Sequence, residues 1–354
     1  MITAAPGIHC RGLFVFGGWQ APRVPYDAPM LHYLDPDLQT VLEAVYAQQL
    51  FDWDGLDAAA VRAKFLAIKT MPQLPDIPRV EDVSVPGTGG PVPCRFYHPR
   101  PGARVPLLVW CHGGGWVLGG LDQEEATCRR LALQGDMAVL SVDYRLAPEH
   151  RFPCAFYDTV AAWRWAHANA EALGCLPQGC GIGGGSAGGN LAAATTQMMV
   201  VDGGPVPAHQ LLVYPIVDAD LNRASMHAHA QGPVLHRAHM EWFWSQYVPA
   251  PANRSDWRAA PLRAPTFVGL PQTTIELAGV DPLIDEGLAY AKALEDAGVE
   301  VHCTVYEGLT HGYQGMAANV PAAEAIVRAM ARRIGACLRE ASAGADQEQP
   351  ELAG

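Results

Sequence analysis

Ser186 sits in the run Gly184-Gly185-Ser186-Ala187-Gly188-Gly189-Asn190, a G-x-S-x-G pattern. A strand-like run, 179–185, leads into it, and an Ala-rich helical run, 191–201, leaves it. In that context a serine rides a strained strand-to-helix turn with its hydroxyl pushed into the open. Small neighbours suit such a turn, because a Cβ there would collide with adjacent backbone. The helix that follows aims its first N–H groups at the same place and favours negative charge there. Glycine-rich turns between strand and helix also cradle phosphates, so the elbow alone leaves two chemistries open.

Two further motifs narrow the choice. His112-Gly113-Gly114-Gly115-Trp116 follows a continuous apolar run, 105–111. Consecutive glycines at a strand end let backbone N–H groups point inward, and with the N–H of Ala187 they would form an oxyanion hole. Downstream, Asp281 opens Asp281-Pro282-Leu283-Ile284-Asp285-Glu286-Gly287, and His311 opens His311-Gly312-Tyr313. Each lies in a loop after a strand-like run. A serine hydroxyl needs a base within hydrogen-bond reach, and that base needs an acid to fix its tautomer and stabilise its cation. The order Ser186, Asp281, His311 supplies all three. Asp285 and Glu286 are rival acids. Asp281 is preferred because it comes first after the strand, whereas the other two suit the first turn of the next helix.

These loops need a scaffold. Helical periodicity covers 35–52, with Asp35 or Asp37 as its cap, and 57–69; prolines at 72, 75 and 78 end this portion. Residues 80–85 and 92–97 alternate like an antiparallel pair. Apolar runs at 105–111, 137–142, 179–185, 210–215, 273–278 and 299–306 read as buried parallel strands. Helices are expected between them at 124–134, 156–171, 186–201 and 283–297, with another at 322–340. This alternation implies a doubly wound α/β sheet. The stretch from Tyr214 to Thr273 is too long for one crossover, so an inserted helical segment is expected there. It carries Trp242, Phe243, Trp244 and Tyr247, an apolar stripe that suits a lid or simply the core.

The 354 residues are 49% hydrophobic and 17% charged, with a formal net charge of −12. That balance argues against nucleic acid or an anionic membrane as the main partner. No apolar run approaches the roughly 20 residues of a membrane span. The short run 12–19 reads as aromatics packed on the body, not as a secretory signal. Nine cysteines, an odd count with no C-x-x-C pair, read as reduced thiols in a cytoplasmic protein. No His/Cys cluster has metal-ligand spacing; His227, His229, His236 and His239 read as a half-exposed polar helix face. No cofactor or metal is expected.

Taken together, HGGGW (112–116), DYRLAPEHRFP (143–153), GGSAGGN (184–190), DPLIDEG (281–287) and HGY (311–313) resemble the hormone-sensitive lipase family of α/β-hydrolases, which includes the family IV bacterial esterases. The resemblance spans residues about 80 to 340. It implies an α/β-hydrolase fold, a mostly parallel eight-stranded sheet with helices on both faces and a helical cap. It implies Ser186 as nucleophile, His311 as base and Asp281 as acid, with Gly114, Gly115 and Ala187 as backbone donors and Gly113 supporting the turn. The domain reading is an N-terminal extension and first cap segment at 1–75, core at 76–216, second cap segment at 217–262, core at 263–340, and a disordered tail at 341–354. Trp116, Trp242, Phe243 and Trp244 are candidate walls of a substrate pocket. Tyr144, Arg145, Glu149 and His150 read as a structural polar network.

The expected substrate is a small ester of short-to-medium acyl chain. Lactone, amide or carbamate hydrolysis would use the same residues. Small-molecule receptors of the same fold, as in the plant gibberellin receptors, lose the catalytic histidine, whereas His311 is present here. The resemblance also implies homodimerisation through the last strand, 299–306. One departure stands out: members commonly carry an acidic residue, sometimes threonine, just before the nucleophile, and here it is Gly185.

Overall fold

The computed structural model describes residues 34–47, 52–53, 55–67 and 74–348. Two helices, α1 (Pro36–Tyr46) and α2 (Ala58–Ala67), precede an eight-stranded sheet. Its strands are β1 (Arg79–Gly87), β2 (Gly90–His98), β3 (Val105–Cys111), β4 (Ala138–Val142), β5 (Cys175–Gly185), β6 (Gln210–Val213), β7 (Thr273–Val280) and β8 (Val301–Thr310), in the order β1-β2-β4-β3-β5-β6-β7-β8. The β1–β2 hairpin is antiparallel, and β2 meets β4 antiparallel; from β4 to β8 every pairing is parallel.

The central strands are largely apolar because helices cover both of their faces. Every residue of β3 and β4 is buried. Val109 and Cys111 face one core layer with α4 (Cys154–Asn169), α5 (Ala187–Asp202) and α8 (Ile284–Asp296). Leu108 and Trp110 face the other, with α3 (Leu121–Gly135) and α9 (Pro321–Glu348). Parallel strands all end on the same edge, so the loops after β3, β5, β7 and β8 gather there, where α/β sheets bind ligands.

The segment between β6 and β7 holds α6 (Ala224–Ala228), α7 (Arg237–Tyr247) and two short 3-10 turns, Pro251–Ser255 and Pro261–Arg263. It packs on the N-terminal helical segment. The Trp53 ring stacks on His239 at 4.0 Å and meets Phe243 edge-on at 5.5 Å. His239 is therefore buried rather than on a half-exposed face, because its flat ring offers Trp53 a stacking partner. Asp35 caps α1, its Oδ1 accepting the N–H groups of Asp37 and Leu38 at 3.0 and 3.3 Å.

The tail expected to be disordered begins as helix. α9 runs on to Glu348, because its Ala, Gln and Glu residues favour a helix and outweigh Gly344, and no proline lies between Pro321 and Pro350. Residues 349–354 lie outside the described residues, as do residues 1–33 with their aromatic run. Among the described residues, no helix is long and apolar enough to cross a membrane.

Candidate active site

β5 delivers Ser186 onto a turn that only this backbone path permits. Ser186 has φ +56° and ψ −118°, a region that costs a non-glycine residue about 1–3 kcal/mol. The strain is held from several sides. Its N–H donates to Val213 O at 2.9 Å, and its carbonyl accepts from Asn190 and Ile216 at 3.0 and 3.2 Å. Gly188 is required by packing: a Cβ there would lie 2.0 Å from the Cys111 carbonyl oxygen. The elbow glycines thus let β3 and the start of α5 come into contact.

The three loops converge. Ser186 Oγ lies 2.9 Å from His311 Nε2, and His311 Nδ1 lies 2.7 Å from Asp281 Oδ2. An ionised Asp281 can only accept, so the proton sits on Nδ1 and leaves Nε2 to accept from the serine hydroxyl. Asp281 is 1% exposed, and its other oxygen accepts the Leu283 N–H at 2.9 Å. The rival carboxylates are engaged elsewhere. Asp285 accepts the Ser225 N–H at 2.8 Å, and Glu286 accepts those of Val217 and Asp218 at 2.8 and 3.3 Å. Both tie the β6–β7 segment to the loop that carries Asp281.

The glycine loop lies against the same serine. A Cβ on Gly113 would sit 3.6 Å from the Ser186 Cβ. Among the described residues, the N–H groups of Gly114 and Gly115 donate to no backbone acceptor, while Gly114 O accepts from Val117 and Leu118. Ala187 is the first residue of α5, and Ser186 makes no side-chain cap to the helix. Its N–H is therefore one of the unpaired donors of a helix start. Tyr144 braces the loop, its hydroxyl donating to His112 O at 2.8 Å and its ring stacking on His112 at 4.1 Å. Burial pushes the His112 imidazole down to about 4, so it stays neutral at physiological pH. Arg145 pairs with Asp158 through two bonds of 2.8 and 2.7 Å, and Glu149 pairs with Arg62. His150 lies exposed beside Glu149.

The aromatic residues divide. Trp116 and Trp244 have no exposed surface, so they are not walls of an open pocket. Trp116 stacks on Tyr247 at 4.3 Å and donates its indole N–H to Asn190 at 3.3 Å, because φ +62° turns it back under the loop. Phe243 presses on the glycine loop: a Cβ on Gly115 would lie 2.2 Å from its ring. Trp242 is partly buried beside Phe243 and Trp53. An open cleft of about 970 Å³ has Phe152, Val201 and Trp257 in its lining, but no residue of the triad or the glycine loop.

A family model described as the alpha/beta hydrolase fold matches residues 108–315. The chain belongs to that family. Among curated relatives of this α/β-hydrolase, the carboxylic ester hydrolase LipN of Mycobacterium tuberculosis is 43% identical over 291 residues, covering 79% of this chain and 77% of the relative. The ethyl acetate hydrolase of Pseudomonas putida is 34% identical, covering 82% of this chain and 95% of that protein. The hyperthermophilic esterase from the archaeon Pyrobaculum calidifontis matches with a TM-score of 0.81 and 37% identity, covering 86% of this chain and 98% of that one. These likenesses put the α/β-hydrolase on the hormone-sensitive-lipase-like, family IV esterase branch.

Sequence reasoning missed three residues of this α/β-hydrolase site. Arg62 of α2 reaches the turn after the glycine loop, donating to Val117 O at 2.8 Å and Ala147 O at 2.7 Å. Glu124 and Gln314 bond to each other at 3.1 Å beside the elbow. Burial pushes the Glu124 carboxyl up to about 7. None of the three belongs to a recognisable motif, so no local signal marks them.

Proposed function

We propose that the protein is a serine carboxylic ester hydrolase acting on short-to-medium acyl esters through an acyl-enzyme intermediate. One observation carries this reading: the relay Ser186–His311–Asp281, with bonds of 2.9 and 2.7 Å, beside a glycine loop whose Gly114 and Gly115 N–H groups meet no backbone acceptor among the described residues. Ser186 attacks the ester carbonyl carbon as its proton passes to His311 Nε2. The tetrahedral oxyanion is held by the N–H groups of Gly114, Gly115 and Ala187, each such donor being worth about 3 kcal/mol in the transition state. His311 then protonates the leaving alkoxide, and Asp281 stabilises the imidazolium while it lasts. Water repeats the sequence at the acyl-enzyme and releases the acid.

An engaged His311 supports catalysis over a receptor role. The helices α1 and α2 and the segment 217–262 act as a cap, with Phe243 and Trp242 as its apolar face towards the substrate. The relative named for ethyl acetate supports a preference for short acyl chains. Free thiols on seven described cysteines suit a reducing, cytoplasmic setting, and β8, the last strand of the described sheet, suits pairing with a second copy.

The test is a p-nitrophenyl ester series from acetate to palmitate, run on the wild type and on Ser186→Ala. The wild type is expected to favour the short and medium esters, with Ser186→Ala slower by at least ~10³-fold. Equal rates for the two proteins would remove the nucleophile. A rate rising towards palmitate would point to a lipase instead.

A further inference from the structure

Gly185 leaves the flank of the elbow without a side chain, and another residue fills the space. A Cβ on Gly185 would lie 3.0 Å from Gln314 Nε2 and 3.1 Å from its Oε1. The Gln314 amide therefore lies directly against the residue preceding the nucleophile. Gln314 belongs to the short turn Tyr313–Met316 that follows His311, and it is 7% exposed. Its amide is held from the far side, because Nε2 donates to Glu124 Oε1 at 3.1 Å. That oxygen is anchored in turn by the Trp110 indole N–H at 3.0 Å, from the buried strand β3. Tyr214 links the turn to the base: its hydroxyl faces the Gln314 backbone N–H, and its ring lies 4.6 Å from the His311 ring.

We propose that Glu124 is a positioning residue for His311: its carboxylate grips Gln314 against Gly185 and so fixes the turn that aims the imidazole at Ser186. The proposal rests on the reading of His311 as the base. It does not need Glu124 to be charged, since both donors meet the same oxygen and an amide oxygen could accept both bonds. Without the grip, the Gln314 side chain has, among the described residues, no hydrogen-bond partner on its buried Oε1 side and only van der Waals contact over Gly185. The turn would then sample poses in which Nε2 is misaimed, and misplacement of about 1 Å can cost 10²-fold in rate.

The experiment compares Glu124→Ala, Glu124→Gln, Gln314→Ala and the double variant Glu124→Ala/Gln314→Ala with the wild type and Ser186→Ala. The assay is p-nitrophenyl butyrate hydrolysis, with melting temperature as a control. Glu124→Ala is expected to lower kcat by about 10- to 100-fold with KM little changed, because the lost alignment acts on the transition state. Glu124→Gln should recover most of that loss. The double variant should be no slower than the worse single one, because the two residues act as one chain. Wild-type kcat in Glu124→Ala, no rescue by Gln, or fully additive losses would each overturn the proposal. Hydrogen exchange over residues 308–317 reads the grip independently of activity: faster in Glu124→Ala, at the wild-type rate in Glu124→Gln. If Ser186→Ala matches the wild type, the esterase reading fails on its own, and equal exchange in all variants would still sink the grip.

Discussion

Asp281 carries two duties with its two oxygens. One meets His311 Nδ1 in the proposed relay, and the other accepts the Leu283 N–H at the start of α8. Replacing it with asparagine keeps the shape but offers an amide N–H₂ or an uncharged oxygen to Nδ1. The first outcome forces the wrong tautomer, and the second removes the charge that stabilises the imidazolium. Asp281→Asn is therefore expected to lower kcat by roughly 10⁴-fold while KM stays near the wild-type value. Steady-state kinetics on a short p-nitrophenyl ester checks this, and a loss under tenfold would mean that another carboxylate can serve. Asp285 and Glu286 are poor substitutes, because both already hold backbone N–H groups of the β6–β7 segment.

Helix α2 packs on the core through Ala58 and Val61, and Arg62 adds its polar fastening. Arg62 bridges to the carbonyl oxygens of Val117 and Ala147 and to the carboxylate of Glu149. The carbonyl bonds lie in a part-buried setting, whereas the Glu149 side chain is 55% exposed. Charged donors on carbonyls are worth about 1.5–3 kcal/mol, and exposed ion pairs about 0–1 kcal/mol. Arg62→Ala is thus expected to destabilise the protein by about 2 kcal/mol and Glu149→Gln by under about 1 kcal/mol. Chemical denaturation of the two variants separates these values. Equal effects would show that the ion pair, and not the hold on the glycine-loop turn, fastens α2.

Across the whole molecule, buried ionisable groups set opposing pH dependences. Glu276 on β7 is 1% exposed, and burial pushes its carboxyl up to about 7 despite the Tyr306 hydroxyl donated at 2.7 Å. Its folded pKa lies above the ordinary carboxylate value of 4.5. The stability it contributes is therefore complete below 4.5 and is lost as pH rises through about 7. Buried His112 and His209, pushed down to about 4, act the other way: their contribution is present above 6.5 and is lost as pH falls. Glu276→Gln removes the first dependence only. Its melting temperature is expected to gain on the wild type between pH 5 and pH 8, on the order of 2–3 kcal/mol in stability. Parallel melting curves for the two proteins across that range would refute a shifted Glu276.

Local pattern was enough for much of the scaffold. A run such as Val105–Cys111 is apolar at every position because both faces of its strand are covered, and the next residues, HGGGW, must then lie at the strand end. The same logic places Ser186, Asp281 and His311 at strand ends on one edge. Alanine-rich helix termini misled, since 341–348 lack apolar periodicity yet stay helical through intrinsic propensity. Only the tertiary structure decided which of three carboxylates meets His311, that Trp116 and Trp244 turn inward while Phe243 covers Gly115, and that Glu124 reaches Gln314. Periodicity reports which face of an element is buried. The partner of a side chain depends on how elements distant in the chain pack together, and spacing along one chain does not encode that.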